Sequence, residues 1–300
     1  MNTVLDKQLI SLSRGSQAKK FLLQWSWLGL GVLLVYGGIV FGTAREWWTN
    51  EDYAHGLFTP FAIAYLVYER RRELVGISGK PSDVGLFIIL ASQVILAVGF
   101  LGAEFFLQRV SILVFIAGLI VYLWGWRALW RTAFALILIL LAIPLPALIF
   151  NSFALPLQLL ASTSAEGVLD MMHVSVLREG NILNLPHGVQ LNVAEACSGI
   201  RSLVSLIALT ALITMLARFR QIPRWARFVF ILSSIPIALL ANASRVAVTS
   251  LLAYQFGQRA AEGFFHSLSG ALVFVFAFAA LLVEIFFFQT LALPRKDVAA

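Results

Sequence analysis

Residues 84–103 read VGLFIILASQVILAVGFLGA, and residues 110–126 read VSILVFIAGLIVYLWGW. Neither run holds a charged side chain. Coiled as an α-helix, the first is about 30 Å long, the thickness of the hydrocarbon core of a bilayer. Between them, Glu104, Gln108 and Arg109 make a short polar connection. Two consecutive spans joined by a turn are the expected reading. The rest of the 300-residue chain follows suit, with 60% hydrophobic and 12% charged residues. A soluble globule holds about 45–50% apolar and about 25% charged residues. The fold class expected is therefore an all-α polytopic membrane protein, a single domain over 1–300.

Eight spans are expected, at about 21–42, 54–68, 84–103, 110–126, 132–150, 199–217, 228–245 and 267–290. The second is short enough to be re-entrant. The first follows a basic segment and ends in Gly42-Thr43-Ala44, which resembles a signal-peptide cleavage site. Its apolar run is longer than a usual signal core and more spans follow, so an uncleaved anchor is expected.

The connections sort by charge. Arg45, Arg109, Arg178, Arg201, Arg245 and Arg259 fall on one side, and the other sixteen of the 22 Lys and Arg residues on the opposite side. Basic connections stay in the cytoplasm, which places both termini there. The net charge of +7 belongs to these connections. The expected partner is the lipid bilayer, not nucleic acid.

The only long connection, 151–198, falls on the outer side. Its first half, Asn151 to Met172, mixes apolar residues with Gln158, Ser162, Glu166 and Asp170, and reads as an amphipathic helix lying in the interface. Its second half, Val174 to Val193, has β-branched residues, Gly180 and a Pro186-His187-Gly188 turn, and reads as a short periplasmic hairpin.

The chain has one cysteine, Cys197, in the run Ala194-Glu195-Ala196-Cys197-Ser198-Gly199 before the sixth span. A lone thiol forms no intramolecular disulfide. The start of a helix favours a thiolate, although a buried lone cysteine also serves as an inert apolar residue. Arg245 stands at the outer end of the seventh span, with Asn242 on the same helix face. Arg245 taken alone also reads as an arginine snorkelling to headgroups. His266 opens the eighth span, where a lone histidine also reads as interfacial. Three consecutive spans thus bring thiol, guanidinium and imidazole to one depth on one side. Acyl transfer needs a nucleophile, a proton carrier titrating near neutrality and a donor for the oxyanion.

These residues carry a resemblance. The runs AEACSGIRS at Cys197, NASRV at Arg245 and HSLSG at His266 resemble the exosortase/archaeosortase family. So do YAHGLFTP (Tyr53 to Pro60) and VLREGNIL (Val176 to Leu183), which stand in the same order. The resemblance implies a bacterial inner-membrane cysteine transpeptidase, unrelated in fold to soluble sortases. Its partners would be membrane-anchored substrate proteins with a C-terminal sorting signal: a Pro-Glu-Pro-type motif, a transmembrane helix and a basic cluster. By motif, Cys197 is the nucleophile, Arg245 the transition-state arginine and His266 the acid/base.

Besides Asn242, supporting roles are expected at four further positions. His55 either lines the substrate groove or is an interfacial histidine before a glycine turn. Arg178 pairs with Glu179 on the surface or meets the acidic substrate motif. Glu195 orients His266 or Arg245, or caps the helix start. Arg201, four residues past Cys197, assists Arg245 or snorkels. No function is assigned to Glu284. The four histidines, His55, His173, His187 and His266, show no metal-ligand spacing, so neither metal nor cofactor is expected. Two rival readings remain: a transporter lined by Arg245, His266 and Glu284, and a scaffold for exopolysaccharide export or secretion.

Overall fold

A computed structural model describes residues 26–27, 29–76, 79–193, 199–216, 222–257 and 264–292. The described chain is mostly helical. Helix α1 covers 29–49. A 3-10 segment, Glu51–Phe58, leads into α2 (Thr59–Glu69) and the short α3 (Arg71–Val75). Then come α4 (Val84–Leu101), α5 (Phe105–Trp124), α6 (Trp126–Ala142) and α7 (Ala147–Met171). Strands β1 (Leu177–Glu179), β2 (Ile182–Leu185) and β3 (Val189–Asn192) follow. The chain continues through α8 (Gly199–Met215), α9 (Arg224–Phe256) and α10 (Phe264–Ala292).

Among the described residues, five helices are long and apolar enough to cross a membrane: α4, α5, α7, α9 and the Gly270–Thr290 part of α10. No more than 28% of any of their apolar windows is buried. Leu86, Phe87, Leu90 and Val94 of α4 point outward, a surface suited to lipid and not to water. Helices α4 and α5 approach closely through glycine: a Cβ on Gly118 would lie 2.9 Å from the backbone nitrogen of Ile89.

Several expected boundaries are corrected. The second span is composite: four 3-10 residues from His55 and the eleven of α2 together run about 25 Å. Pro60 starts α2 near its first position, where a missing N–H costs nothing. The fifth expected span, 132–150, is α6 instead, which ends at Ala142 because Pro144 and Pro146 interrupt the ladder. Helix α7 begins at Ala147, four residues before the start expected for the amphipathic helix, and by length and composition its 25 residues also suffice for a span. Its small residues Ala154, Ala161, Ser162 and Ala165 are buried while Leu148, Phe153, Leu155 and Leu160 are exposed. The expected hairpin is a three-stranded antiparallel sheet in the order β1-β2-β3. Gly180 at φ +66° turns the first connection, and the expected Pro186–Gly188 turn makes the second.

The seventh span does not end at Arg245. Helix α9 runs on to Phe256, making 33 residues or about 50 Å. Two cores sit along it. In the first half, Ala226, Phe230 and Ala238 pack with Leu206 and Ile213 of α8 and with Ala277, Leu281 and Ile285 of α10. Past Arg245, Val246, Ala247 and Ala253 pack with Ala161, Ala165 and Leu169 of α7 and with Leu183, Leu185, Leu191 and Val193 of the sheet region. A third cluster, Leu66, Phe134 and Leu138, is joined by Leu212, Met215 and Leu216 and ties α2 and α6 to the end of α8.

Candidate active site

Arg245 lies about 31 Å along α9 from Arg224, one hydrocarbon thickness. Its guanidinium packs on α10 at Gly270. A Cβ built on Gly270 would lie 3.3 Å from Arg245 Cζ and 3.3 Å from Nη2. The glycine gives the guanidinium a seat against helix backbone. His266 occupies α10 four residues before Gly270, about one turn along the helix.

The pairing of α9 with α10 is fixed at a second point. The Ser233 hydroxyl lies 2.6 Å from Glu284 Oε2. Twelve residues separate Ser233 from Arg245, and fourteen separate Gly270 from Glu284. Both intervals amount to about 20 Å, as two antiparallel helices in register require. Glu284 thus acts as an interhelical hydrogen-bond partner, and the transporter reading loses one of its pathway residues.

Asn242, three residues before Arg245, is 5% exposed, and its Oδ1 has no hydrogen-bond partner among the described residues. Thr249, four residues after Arg245 and 1% exposed, has an Oγ1 in the same condition. Spacing of three and four puts Asn242, Arg245 and Thr249 on one stripe of α9. Asn242 was expected there; Thr249 was missed. Its signal was available as the next polar residue at helical spacing.

His55 sits in the 3-10 segment, which touches α8. Its Nε2 lies 3.1 Å from the Leu141 carbonyl, and Trp47 Nε1 donates to the Ala142 carbonyl at 2.8 Å. These are the last carbonyls of α6, which helix geometry leaves without partners. Gly56 lets the indole in, since a Cβ there would overlap Trp47.

Arg178 does not pair with Glu179. Its Nε donates to Glu166 Oε2 of α7 at 2.5 Å, and its Nη1 to the Gly180 carbonyl at 3.2 Å. Glu179 accepts instead from Asn184 Nδ2 at 3.3 Å. The β1–β2 turn aims Arg178 back at α7, so the pair fastens sheet to helix. Arg201 stands in the first turn of α8. Cys197 and Glu195 lie outside the described residues.

No curated protein and no solved structure matches the sequence. The family model described as transmembrane exosortase (Exosortase_EpsH) matches residues 47–283, a stretch that includes Cys197, Arg245, His266 and every supporting residue named above. With most of its length matched, and five helices fit to cross a bilayer, this multi-pass membrane chain belongs to the transmembrane exosortase family.

Proposed function

We propose that the protein is a sorting transpeptidase or protease that cleaves C-terminal Pro-Glu-Pro-type signals at the periplasmic face of a bacterial inner membrane. The observation that carries this reading is the seating of the Arg245 guanidinium on Gly270, one turn from His266. A cation held against helix backbone at the end of a bilayer-length stretch is placed for charge that develops on a substrate carbonyl.

In this reading the Cys197 thiolate attacks the scissile carbonyl and a C–S bond forms. Arg245 holds the oxyanion. The C–N bond then breaks, His266 protonates the leaving amine, and the helical tail departs with its basic cluster. An amine, a glycan hydroxyl or water next attacks the thioester and gives up a proton to His266. The C–S bond breaks and the thiolate returns. Asn242, Glu195 and Arg201 support the substrate and the charged groups around it.

With both termini in the cytoplasm, the crossings are α1, the 3-10–α2 composite, α4, α5, α6, α8, α9 and α10. Helix α7 and the sheet then lie on the outer side. Their packing on α9 beyond Arg245 supports that arrangement. A membrane-impermeant maleimide should accordingly reach Cys197 in intact spheroplasts.

The experiment is co-expression with a reporter that ends in a Pro-Glu-Pro-type signal, followed on a gel. Wild type shortens or transfers the reporter, and Cys197→Ala leaves it full length. Equal processing by Cys197→Ala would overturn the nucleophile assignment and return the chain to the scaffold reading.

A further inference from the structure

A cavity of about 430 Å³ opens between α3 and α6, lined by Arg70, Glu73, Leu74, Trp130 and Arg131. Arg70 stands just past α2, about 25 Å along the composite second span from His55. It also reaches Met215, the last residue of α8, while Cys197 precedes the first residue of that helix in the sequence. The cavity and the expected nucleophile therefore belong to opposite ends of α8. The basic connections gather at the cavity's end, which the charge rule assigns to the cytoplasm.

The two cations of the wall are fixed in place. Arg70 donates through Nη2 to the Met215 carbonyl at 2.5 Å, and its Cζ lies 4.2 Å from the centre of the Phe134 ring. Arg131 comes from α6 and donates through Nη1 to the Glu73 carbonyl of α3 at 3.2 Å. A carbonyl takes an N–H and cancels no charge. The rest of this exposed guanidinium has no hydrogen-bond partner among the described residues. Trp130, beside it in the chain, is 77% exposed, and an indole at a membrane surface sits among the headgroups. Residues 69–73 and 126–131 together bring five arginines against two carboxylates, Glu69 and Glu73.

We infer that this cavity binds the headgroup of an anionic phospholipid. Arg131 donates to the phosphate, and Arg70 adds positive charge in the same wall. A guanidinium fork matches phosphate oxygens, and a basic pocket between membrane helices on the cytoplasmic side suits such a headgroup. Trp130 and Leu74 pack on the glycerol backbone, and the exposed Val75 continues the apolar surface toward the acyl chains. That apolar margin favours a lipid over a soluble anion. The excess of arginine favours an anionic headgroup over one that carries an ammonium as well. Nothing in this inference depends on peptide cleavage.

The test titrates delipidated full-length protein in neutral detergent with phosphatidylglycerol or phosphatidylcholine and counts bound lipid by native mass spectrometry. Wild type is expected to bind phosphatidylglycerol roughly tenfold more tightly than phosphatidylcholine. Arg131→Gln should bring the two lipids to within about twofold of each other. Arg224→Gln, which removes an exposed arginine of α9 outside the cavity wall, should keep the wild-type preference. Equal binding of the two lipids by wild type would overturn the inference. Equal loss in Arg131→Gln and Arg224→Gln would overturn it too, by making the preference a property of diffuse charge. Glycerol phosphate that displaces the lipid at equal concentration would make this a soluble-anion site and remove the lipid. If Arg131→Gln fails to fold, Glu73→Gln decides: taking a negative charge from the wall should tighten phosphatidylglycerol severalfold and leave phosphatidylcholine alone, and unchanged binding would overturn the inference.

Discussion

The Arg245 guanidinium faces Gly270, with 3.3 Å separating the arginine Cζ from the place a Cβ would take. That spacing is tighter than ordinary van der Waals contact, so a methyl group moves the guanidinium by a few tenths of an ångström. A donor aimed at a developing oxyanion tolerates little displacement. Gly270→Ala is expected to lower kcat on the sorting reporter by roughly tenfold, with KM little changed. Gly270→Leu should abolish turnover. Arg245→Lys has a slimmer head group and loses the guanidinium fork, and should cost about a hundredfold. In that background Gly270→Ala should add nothing. Additive losses in the double variant would show that Gly270 matters for helix packing alone.

The contact explains how much of the site was legible. HSLSG was visible as a motif, and His266 was its conspicuous member. The glycine had no reading, because its role is to be empty where another helix presents a side chain, and a single sequence does not show which helices face each other. The apolar runs of α4, α5 and α10 announced themselves by length. The extent of α9 did not: Ser244, Arg245, Thr249, Ser250 and Gln255 make its second half look like the end of a span. The helix continues because Val246, Ala247 and Ala253 find a second core against α7 and the sheet. The 3-10 segment was equally hidden, since its residues follow neither the period of a helix nor that of a strand. Arg178 went to Glu166 and not to its neighbour Glu179 because adjacent residues on a strand point to opposite faces.

Ser233 and Glu284 give a prediction that separates architecture from chemistry. Their 2.6 Å contact joins α9 to α10 about 18 Å from Arg245 along the helix. Side-chain hydrogen bonds between membrane helices couple by about 0.6 kcal/mol on average and reach about 1.7 kcal/mol. Ser233→Ala, Glu284→Ala and the double variant, unfolded in detergent, should show a coupling in that range. Both single variants should keep kcat/KM within about threefold of wild type, since neither residue reaches the reacting atoms. Strictly additive destabilisation would mean the hydrogen bond contributes nothing, and a loss of turnover at unchanged stability would restore Glu284 as a functional residue.

Tyr53 supplies a pH dependence. It stands in the polar turn before the second span, on a cavity of about 450 Å³ shared with Glu46, Asp52, Glu104 and Arg109. Burial holds its hydroxyl above the ordinary value of 10.0, and the carboxylates of Asp52 and Glu46 push the same way. A hydrogen bond with the Leu145 backbone and the charge of Arg109, which is itself paired with Glu46, oppose the shift without cancelling it. Between the unfolded and folded values the native chain keeps a proton that the unfolded chain has lost. Tyr53 therefore contributes stability that is fully present below about pH 10 and is lost as pH rises through the folded value. Tyr53→Phe removes the titration, so its unfolding midpoint in detergent should fall less steeply than that of wild type on the alkaline side. The wild-type minus Tyr53→Phe difference in tyrosinate absorbance should show one of the six tyrosines ionising late. Equal alkaline slopes, or a difference spectrum that rises at the ordinary value, would mean that water and the Arg109 charge reach the hydroxyl as freely in the folded chain as in the unfolded one.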